Sequence, residues 1–430
     1  MKFMAANQLK SVSVCDYPDN PRKSNTASFG RVQVRGHYNE TGSIRRPANV
    51  SVTFDRSNNS LLLLSGALIL SLFAIVTISQ RISIMRNDNM QSDQLNLEEW
   101  SASIFFPSKM MKRMPQGFSN EEFKQWKDEI SRSRVVGVEK GCGRMKNRLL
   151  HLEGGGRVCC RYRQNQDQIQ GEVFSFYLSR AIGINKVAPT KLSVFNASDP
   201  FWSDVAPQLL KNENEGEGGW EEGKLVILTK FIDYLHPVNI PLYFQTDQNS
   251  VADWSTLASL PTILSNQSSV SLNSVEIAEL AQWSDMVVFD YLTANLDRVV
   301  NNLNNLKWNS RMLQYPIHNL QQRNSDNLYL LFDNESGLLH SYRILDKFSH
   351  YHDQLLSSVC LFSPQTVANI ERHASNSSLW SSMYQDFQAE ESLSRKLPKL
   401  PSRFVSILHS RLNSTREQFA HCETRLKNNK

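Results

Sequence analysis

WSDMVVFDYLTANLDRVVNN, residues 283–302, is the stretch on which the reading of this 430-residue chain turns. The apolar residues from Val275 to Leu296 recur at helical spacing, so 274–296 is expected to be a long apolar-faced helix running into an Asn-rich turn. That turn delivers Asn295, Leu296, Asp297 and Arg298, and Asn301 and Asn302 follow the acid by four and five residues. Asx residues after a helix often do no more than cap or turn it. The stretch therefore gains meaning only from what surrounds it.

An acid near an attacking hydroxyl, with a second group five residues on that can reach a metal ion, is what phosphoryl transfer requires. Thirty-six residues after Asp297 comes FDNESG, 332–337, behind the apolar run YLLF. This sets Asp333 at a strand end, where a carboxylate can hold Mg²⁺ or Mn²⁺ bridging the phosphates of ATP. Upstream, NRLLHL, Glu153, three glycines and RVCCRYR read as two strands joined by a tight turn. DQIQGEVFSFYLSRAIGI then places Ile169, Val173, Phe176, Tyr177 and Ile182 at helical spacing, with Gly183 as the stop. Arg161 lies in the second strand and Glu172 on the first turns of that helix. Such a pair can fix ATP phosphates, although alone it reads as an ordinary surface ion pair. KLVILTKFI, 224–232, is a further apolar strand after the acidic loop NENEGEGGWEEG. Basic strand, helical Glu, Asp loop and strand-end Asp together form the order of one architecture.

The composition, 40% hydrophobic and 21% charged, is that of a globular protein. The net charge of +5 lies in residues 1–60, which hold nine Lys or Arg against four Asp or Glu, so the other 370 residues sum to zero. No basic domain remains to bind nucleic acid. The tail ends in LLLLSGALILSLFAIVTIS, an uncharged run of 19 residues from Leu61 to Ser79. As a helix it is about 28 Å long, enough for a membrane span. The basic excess of the tail and the large domain beyond it predict an N-inside, C-outside, type II anchor. Ser65, Gly66, Ser71 and Thr77 make the span only modestly apolar, which suits a thinner, early-secretory bilayer and predicts Golgi retention.

Five cysteines, Cys142, Cys159, Cys160, Cys360 and Cys422, follow the span, where oxidation is available; an odd number leaves one unpaired. Asn-x-Ser/Thr sequons stand at Asn196, Asn266, Asn334, Asn376 and Asn413, and their glycosylation needs the same topology. The organisation expected is a cytosolic tail at 1–59, a signal-anchor at 60–79, a stem at 80–99 and a folded domain at 100–430. Within that domain a small strand-rich lobe, about 135–232, precedes a larger helical lobe, about 274–430. A polar insert at 304–327 has no assigned structure.

LEGGGRVCCRYR, QIQGEVFSFYLSRAIGI, WSDMVVFDYLTANLDRVVNN and LFDNESGLLHSYRILDK resemble the four-jointed box proteins, members of the atypical secretory-pathway kinases. The resemblance covers roughly residues 135–425. It implies an α+β, two-lobed, protein-kinase-like fold behind one transmembrane helix. It also implies a Golgi luminal Ser/Thr kinase that uses ATP with Mn²⁺ or Mg²⁺. Its substrates would be cadherin repeats of the Fat and Dachsous type, in planar cell polarity and growth control. Position by position, Asp297 falls on the family's catalytic aspartate, Asp333 on its metal-binding aspartate and Glu172 on its helical glutamate. Glu172 helps Asp333 hold the metal ion, and Asn302 extends that set. Arg161 stands where many relatives carry the nucleotide lysine, and a planar guanidinium meets phosphate differently from a compact ammonium.

In the same frame Cys142 would pair with Cys159 and Cys360 with Cys422; neighbouring Cys159 and Cys160 face opposite ways on a strand, so only one meets Cys142 readily. Asn334, beside the metal acid, should stay unglycosylated. No clear Gly-rich phosphate loop is visible: Gly137, Gly141 and Gly143 are candidates, while Gly154, Gly155 and Gly156 read as a hairpin turn. Two rival classes are a type II glycosyltransferase, disfavoured because no Asp-x-Asp occurs in the chain, and a non-catalytic kinase-like binding protein, which the Arg161 departure favours and the retained acids oppose.

Overall fold

The computed structural model of the chain describes residues 103–106, 108–211, 219–241 and 274–428. The predicted span at 61–79, the stem and the sequon at Asn266 lie outside the described residues. Among the described residues no helix is long and apolar enough to cross a membrane.

Two short N-terminal helices, α1 (Ser108–Met111) and α2 (Asn120–Arg132), lead into β1 (Val135–Lys140), β2 (Arg148–Leu152) and β3 (Arg157–Tyr162). Then follow α3 (Gln166–Ala181), β4 (Thr190–Val194), α4 (Ala206–Leu210) and β5 (Leu225–Lys230). The five strands form one antiparallel sheet in the order β1-β2-β3-β5-β4. β2 and β3 are the hairpin expected around the three glycines, closed by Leu152 N–H donating to the Gly156 carbonyl at 2.9 Å. The two-residue period of β3 turns Val158, Cys160 and Tyr162 into the core. Cys159 and Arg161, and Arg163 just past the strand, take the opposite face. β1 and β4, which sequence patterning did not single out, are the sheet's two edges.

α3 crosses beside this sheet. Asn165 caps it by accepting from Asp167 N–H at 2.9 Å, and Gly183, in the left-handed region at φ 77°, ends it. Its residues are buried almost all round, from Ile169 to Ser179.

The second half opens with β6 (Leu235–Pro237), the 20-residue α5 (Ser274–Thr293) and α6 (Val299–Asn305), followed by β7 (Leu320–Arg323) and β8 (Tyr329–Leu331). β6, β7 and β8 make a small antiparallel sheet. The segment predicted as an unassigned insert thus contains the end of α6, a 3₁₀ turn at Met312–Gln314 and the whole of β7. The rest is helical: α7 (His340–Arg343), α8 (Leu345–Ser357), α9 (Pro364–Ser375), α10 (Leu379–Glu390) and α11 (Ser402–Asn428). The fold is therefore α+β, with one main core running from Phe123 and Phe176 through Trp283 and Phe289 to Phe387 and Phe419.

Cys142 pairs with Cys159 and Cys360 with Cys422, while Cys160 is the free, buried thiol among the described residues. The second disulfide closes a 62-residue separation and fastens α11 beneath the strand-like segment at Phe362. Cross-links over loops of this length restrict the unfolded chain strongly.

Candidate active site

Four segments meet: the end of β3, the second turn of α3, the turn after α5 and the loop after β8. Arg161, 7% exposed, is the hub. Its Nη1 donates to Asp333 Oδ1 at 2.8 Å and to Glu335 Oε1 at 3.1 Å, and its Nη2 lies 4.0 Å from Glu172 Oε1. Glu172 in turn accepts through Oε2 from the Asn334 N–H at 2.6 Å. Arg163 donates from Nε to Glu335 Oε2 at 2.6 Å, and its Nη2 stands in ion-pair contact 2.5 Å from Oε1.

Backbone shape brings these groups together. Asp333 sits in the left-handed region at φ 49°, which Asp tolerates better than most side chains. Gly171 is required for another reason: a Cβ there would lie 2.4 Å from the Glu335 carbonyl oxygen and 3.1 Å from that of Gly337. Only glycine lets α3 approach the Asp333–Gly337 loop so closely, and that approach sets Glu172, the next residue, against Asn334.

The charges respond to the crowding. Burial favours the neutral form of Glu172 and, with Asp333 and Glu335 nearby, outweighs the pull of Arg161, pushing the carboxyl up to about 7. Burial would raise Asp333 as well, but the guanidiniums of Arg161, Arg144 and Arg163 win and hold it below its ordinary value. Burial works against a charged Arg161, yet Glu172, Asp333 and Glu335 more than compensate, and it stays protonated. Three guanidiniums thus keep Asp333 ionised, while burial raises Glu172 to about 7 against the pull of the Arg161 they share.

Asp297, half-buried, lies in the turn after α5, where its N–H donates to Asn295 Oδ1 at 2.9 Å. The next residue, Arg298, is fully buried. It forks onto Asp290 at 2.5–2.9 Å and donates to the Phe332 carbonyl and to Asn334 Oδ1, both at 2.9 Å. The neighbour of Asp297 is therefore bonded to the residues on either side of Asp333. This clamp brings the two acidic loops together across 36 residues of sequence. Asn302, buried on α6, uses its side-chain nitrogen to hold the Met312 carbonyl at 2.9 Å and so anchors the 3₁₀ turn beside this loop.

These donors suit a hard divalent cation. Asp333 and Glu335 offer carboxylate oxygens, and among the described residues no group of three or more His, Cys, Asp or Glu forms a closed cage. Mg²⁺ and Mn²⁺ commonly take only one or two carboxylates and complete their shell with phosphate oxygens and water. A cavity of about 400 Å³ opens elsewhere, between Phe231–Tyr234 and Arg323–Ser325, and contains none of these converging acids.

Sequence reasoning missed Glu335, Arg163, Arg298 and Arg144. A signal existed for Arg163, which follows Arg161 by the two-residue step that puts alternate side chains on one face of an extended strand, whereas Glu335 lies in a turn beyond a left-handed Asp333 and had none.

The described geometry covers most of the region in which the sequence matches a family model, that of the four-jointed box protein middle domain, over residues 121–425. The chain belongs to the four-jointed box family. Among relatives, the Drosophila melanogaster protein named extracellular serine/threonine protein kinase four-jointed is 34% identical over 358 residues, covering 74% of this chain and 60% of the fly protein. Human four-jointed box protein 1 is 30% identical over 324 residues, covering 75% of this chain and 71% of its own length. The chain thus spans about three-fifths of the fly relative. Among solved structures, the Golgi casein kinase with Mn/ADP bound aligns with 81% of this chain and 89% of its own at 12% identity, with a TM-score of 0.49.

Proposed function

We propose that this four-jointed box protein is a Golgi, type II membrane-anchored protein serine/threonine kinase, dependent on Mn²⁺ or Mg²⁺, that transfers the γ-phosphoryl group of ATP to extracellular cadherin repeats of the Fat and Dachsous type. The observation that carries the reading is the joining of Arg161, Glu172 and Asp333 into one buried ion-pair cluster, clamped through Arg298 to the loop that bears Asp297. The fly relative, named an extracellular serine/threonine protein kinase, supports the chemistry. The Golgi placement and the cadherin substrates come from the family resemblance and from the apolar run at 61–79.

In this reading Asp297 accepts the proton of the Ser or Thr hydroxyl as its oxygen bonds to the γ-phosphorus. The bond from that phosphorus to the β,γ-bridging oxygen breaks, and ADP leaves. Asp333, helped by Glu172, with Asn302 and the neighbouring Glu335, would hold a divalent ion, which would neutralise charge on the phosphates. Arg161, oriented by Glu172, steadies the phosphate oxygens. The Arg161–Asp333 pair also favours a second reading, a kinase-like binding protein in which Arg161 keeps the acids neutralised.

The two part in one experiment. The full chain is incubated with Mn²⁺ and a panel of extracellular domains, with labelled ATP in one arm and labelled nucleotide sugars in another. Phosphate on Ser or Thr of a cadherin repeat is expected; binding without transfer would establish the second reading, and sugar transfer from a nucleotide sugar would overturn both.

A further inference from the structure

The chain between α6 and β7 takes no part in the phosphoryl transfer described above. α6, seven residues and so about 10 Å long, leads from Arg298 into this segment, residues 306–319. Hydrogen bonds fix its backbone. The Met312 carbonyl accepts from Asn302 Nδ2 at 2.9 Å, the Trp308 N–H donates to the Asn305 carbonyl at 2.9 Å, and the Ile317 N–H donates to the Val238 carbonyl at 2.8 Å. Leu306, Leu313 and Ile317 pack inward against the core.

The residues between those anchors face water. Trp126, Trp202, Trp220 and Trp283 are buried and Trp380 is half-buried, whereas Trp308 is 80% exposed. Tyr315 is 38% exposed, and Lys307 and Arg311 are exposed as well. The Lys307 ammonium lies 5.7 Å from the centre of the Trp308 ring. No Asp or Glu occurs between Arg298 and Asp326. Among the described residues neither Lys307 nor Arg311 has a carboxylate within ion-pair distance. Trp, Tyr and Arg are the side chains that supply most of the binding energy at protein–protein interfaces. An indole held in water on a fixed backbone forgoes a large apolar burial, which a partner restores.

We propose that this basic, aromatic surface docks the acceptor protein, with Trp308 as the apolar anchor and Lys307 and Arg311 meeting carboxylates of the acceptor, an inference that rests on the kinase reading above. Position and charge both favour this occupant. The surface begins one short helix beyond Asp297, the acid that takes the hydroxyl proton in that reading, so a protein seated on it is held beside the site of transfer. The unpaired positive charge draws an acidic surface and orients its approach. An aliphatic or aromatic side chain of the acceptor then covers the indole. The segment that lengthens the interval between Asp297 and Asp333 thereby selects the protein to be modified.

Calorimetric titration of the full chain with each cadherin repeat of the panel, beside the steady-state kinetics of phosphate transfer, tests this. Trp308→Ala should weaken binding of the repeat and raise its KM about tenfold, with kcat, the KM for ATP and the unfolding temperature unchanged. Trp308→Phe should keep most of the affinity. Lys307→Glu combined with Arg311→Glu should raise the KM of the repeat by a similar factor and remove its rise with ionic strength. Unchanged affinity for the repeat in Trp308→Ala and in the double variant would overturn the surface while leaving the kinase reading intact. So would a Trp308→Ala chain that binds the repeat normally but loses self-association in sedimentation, or loses binding to vesicles of phosphatidylcholine and phosphatidylserine. A wild-type chain that binds a repeat through Trp308 but transfers no phosphate would uphold the surface and overturn the kinase reading, and one that neither binds nor phosphorylates any repeat would overturn both.

Discussion

Arg298→Ala is the sharpest structural perturbation available, because one side chain links three elements. Arg298 is fully buried, its ion pair with Asp290 has side chains 0% and 5% exposed, and its other donors serve Phe332 and Asn334 around Asp333. Removing one member of a buried, hydrogen-bonded pair leaves the other charge stranded, at a cost of about 3–5 kcal/mol. That is a large share of the roughly 5–15 kcal/mol that holds a domain folded. Burial already raises the Asp290 carboxyl, and Arg298 offsets the rise; without it the carboxyl climbs further. A raised carboxyl contributes stability that is complete below its unfolded value and lost as pH rises through the folded one. The deficit of the variant should therefore be larger at pH 8 than at pH 5. Urea unfolding of the full chain followed by tryptophan fluorescence reads this directly, since Trp202 and Trp283 are fully buried. Asp290→Asn combined with Arg298→Met, which removes both charges, should recover part of the loss. A deficit below about 1 kcal/mol, or one independent of pH, would refute the clamp.

Three further outcomes are expected. Gly171→Ala, which in most helices gains up to about 1 kcal/mol, should destabilise here and lower phosphate transfer, because its Cβ meets the Glu335 carbonyl; a stabilised, active variant would show that α3 and the loop are not in close contact. The stability that Glu172 contributes should be complete below about 4.5 and fall away as pH rises towards about 7, a change on the order of 3 kcal/mol, so that Glu172→Gln flattens the stability–pH curve in this window. Peptide mass spectrometry of the full chain expressed through the secretory pathway should find glycans at exposed Asn196 and Asn376 and none at Asn334, which is fully buried with its amide engaged by Arg298 and Leu331; an occupied Asn334 would contradict the packing of the loop.

Much of the fold was legible because its signals are local. The helix at 274–296 appears as Ser274–Thr293, the strand at 224–232 as Leu225–Lys230, and the run ahead of Asp333 as Tyr329–Leu331. The glycine hairpin and the Gly183 stop follow from backbone rules that a few residues satisfy alone. Edge strands were not legible: VVGVEK and TKLSV are short, half-exposed and mixed in character, and become strands only because a central strand offers hydrogen bonds. The insert at 304–327 concealed β7 for a similar reason, its Leu-Gln-Gln-Arg carrying almost no strand preference. The acids Glu172 and Asp333 could be nominated from position in their elements, but their electrostatic partners could not. The Arg161 and Arg163 contacts to Glu335 cross 174 and 172 residues, and the Arg298 clamp joins two turns whose separate sequences read as ordinary caps.

The most direct test of two acids with separate duties is Mn²⁺ binding in the presence of ADP, read from the loss of the free-ion signal in electron paramagnetic resonance. Asp333→Asn suits it, because Asn keeps the shape of the side chain and tolerates the left-handed backbone at this position. The wild-type chain and Asp297→Asn should hold the Mn²⁺–ADP pair with similar affinity, although only the former transfers phosphate, while Asp333→Asn should lose at least about tenfold in affinity. Undiminished Mn²⁺–ADP binding by Asp333→Asn, or its loss in Asp297→Asn alone, would contradict the account.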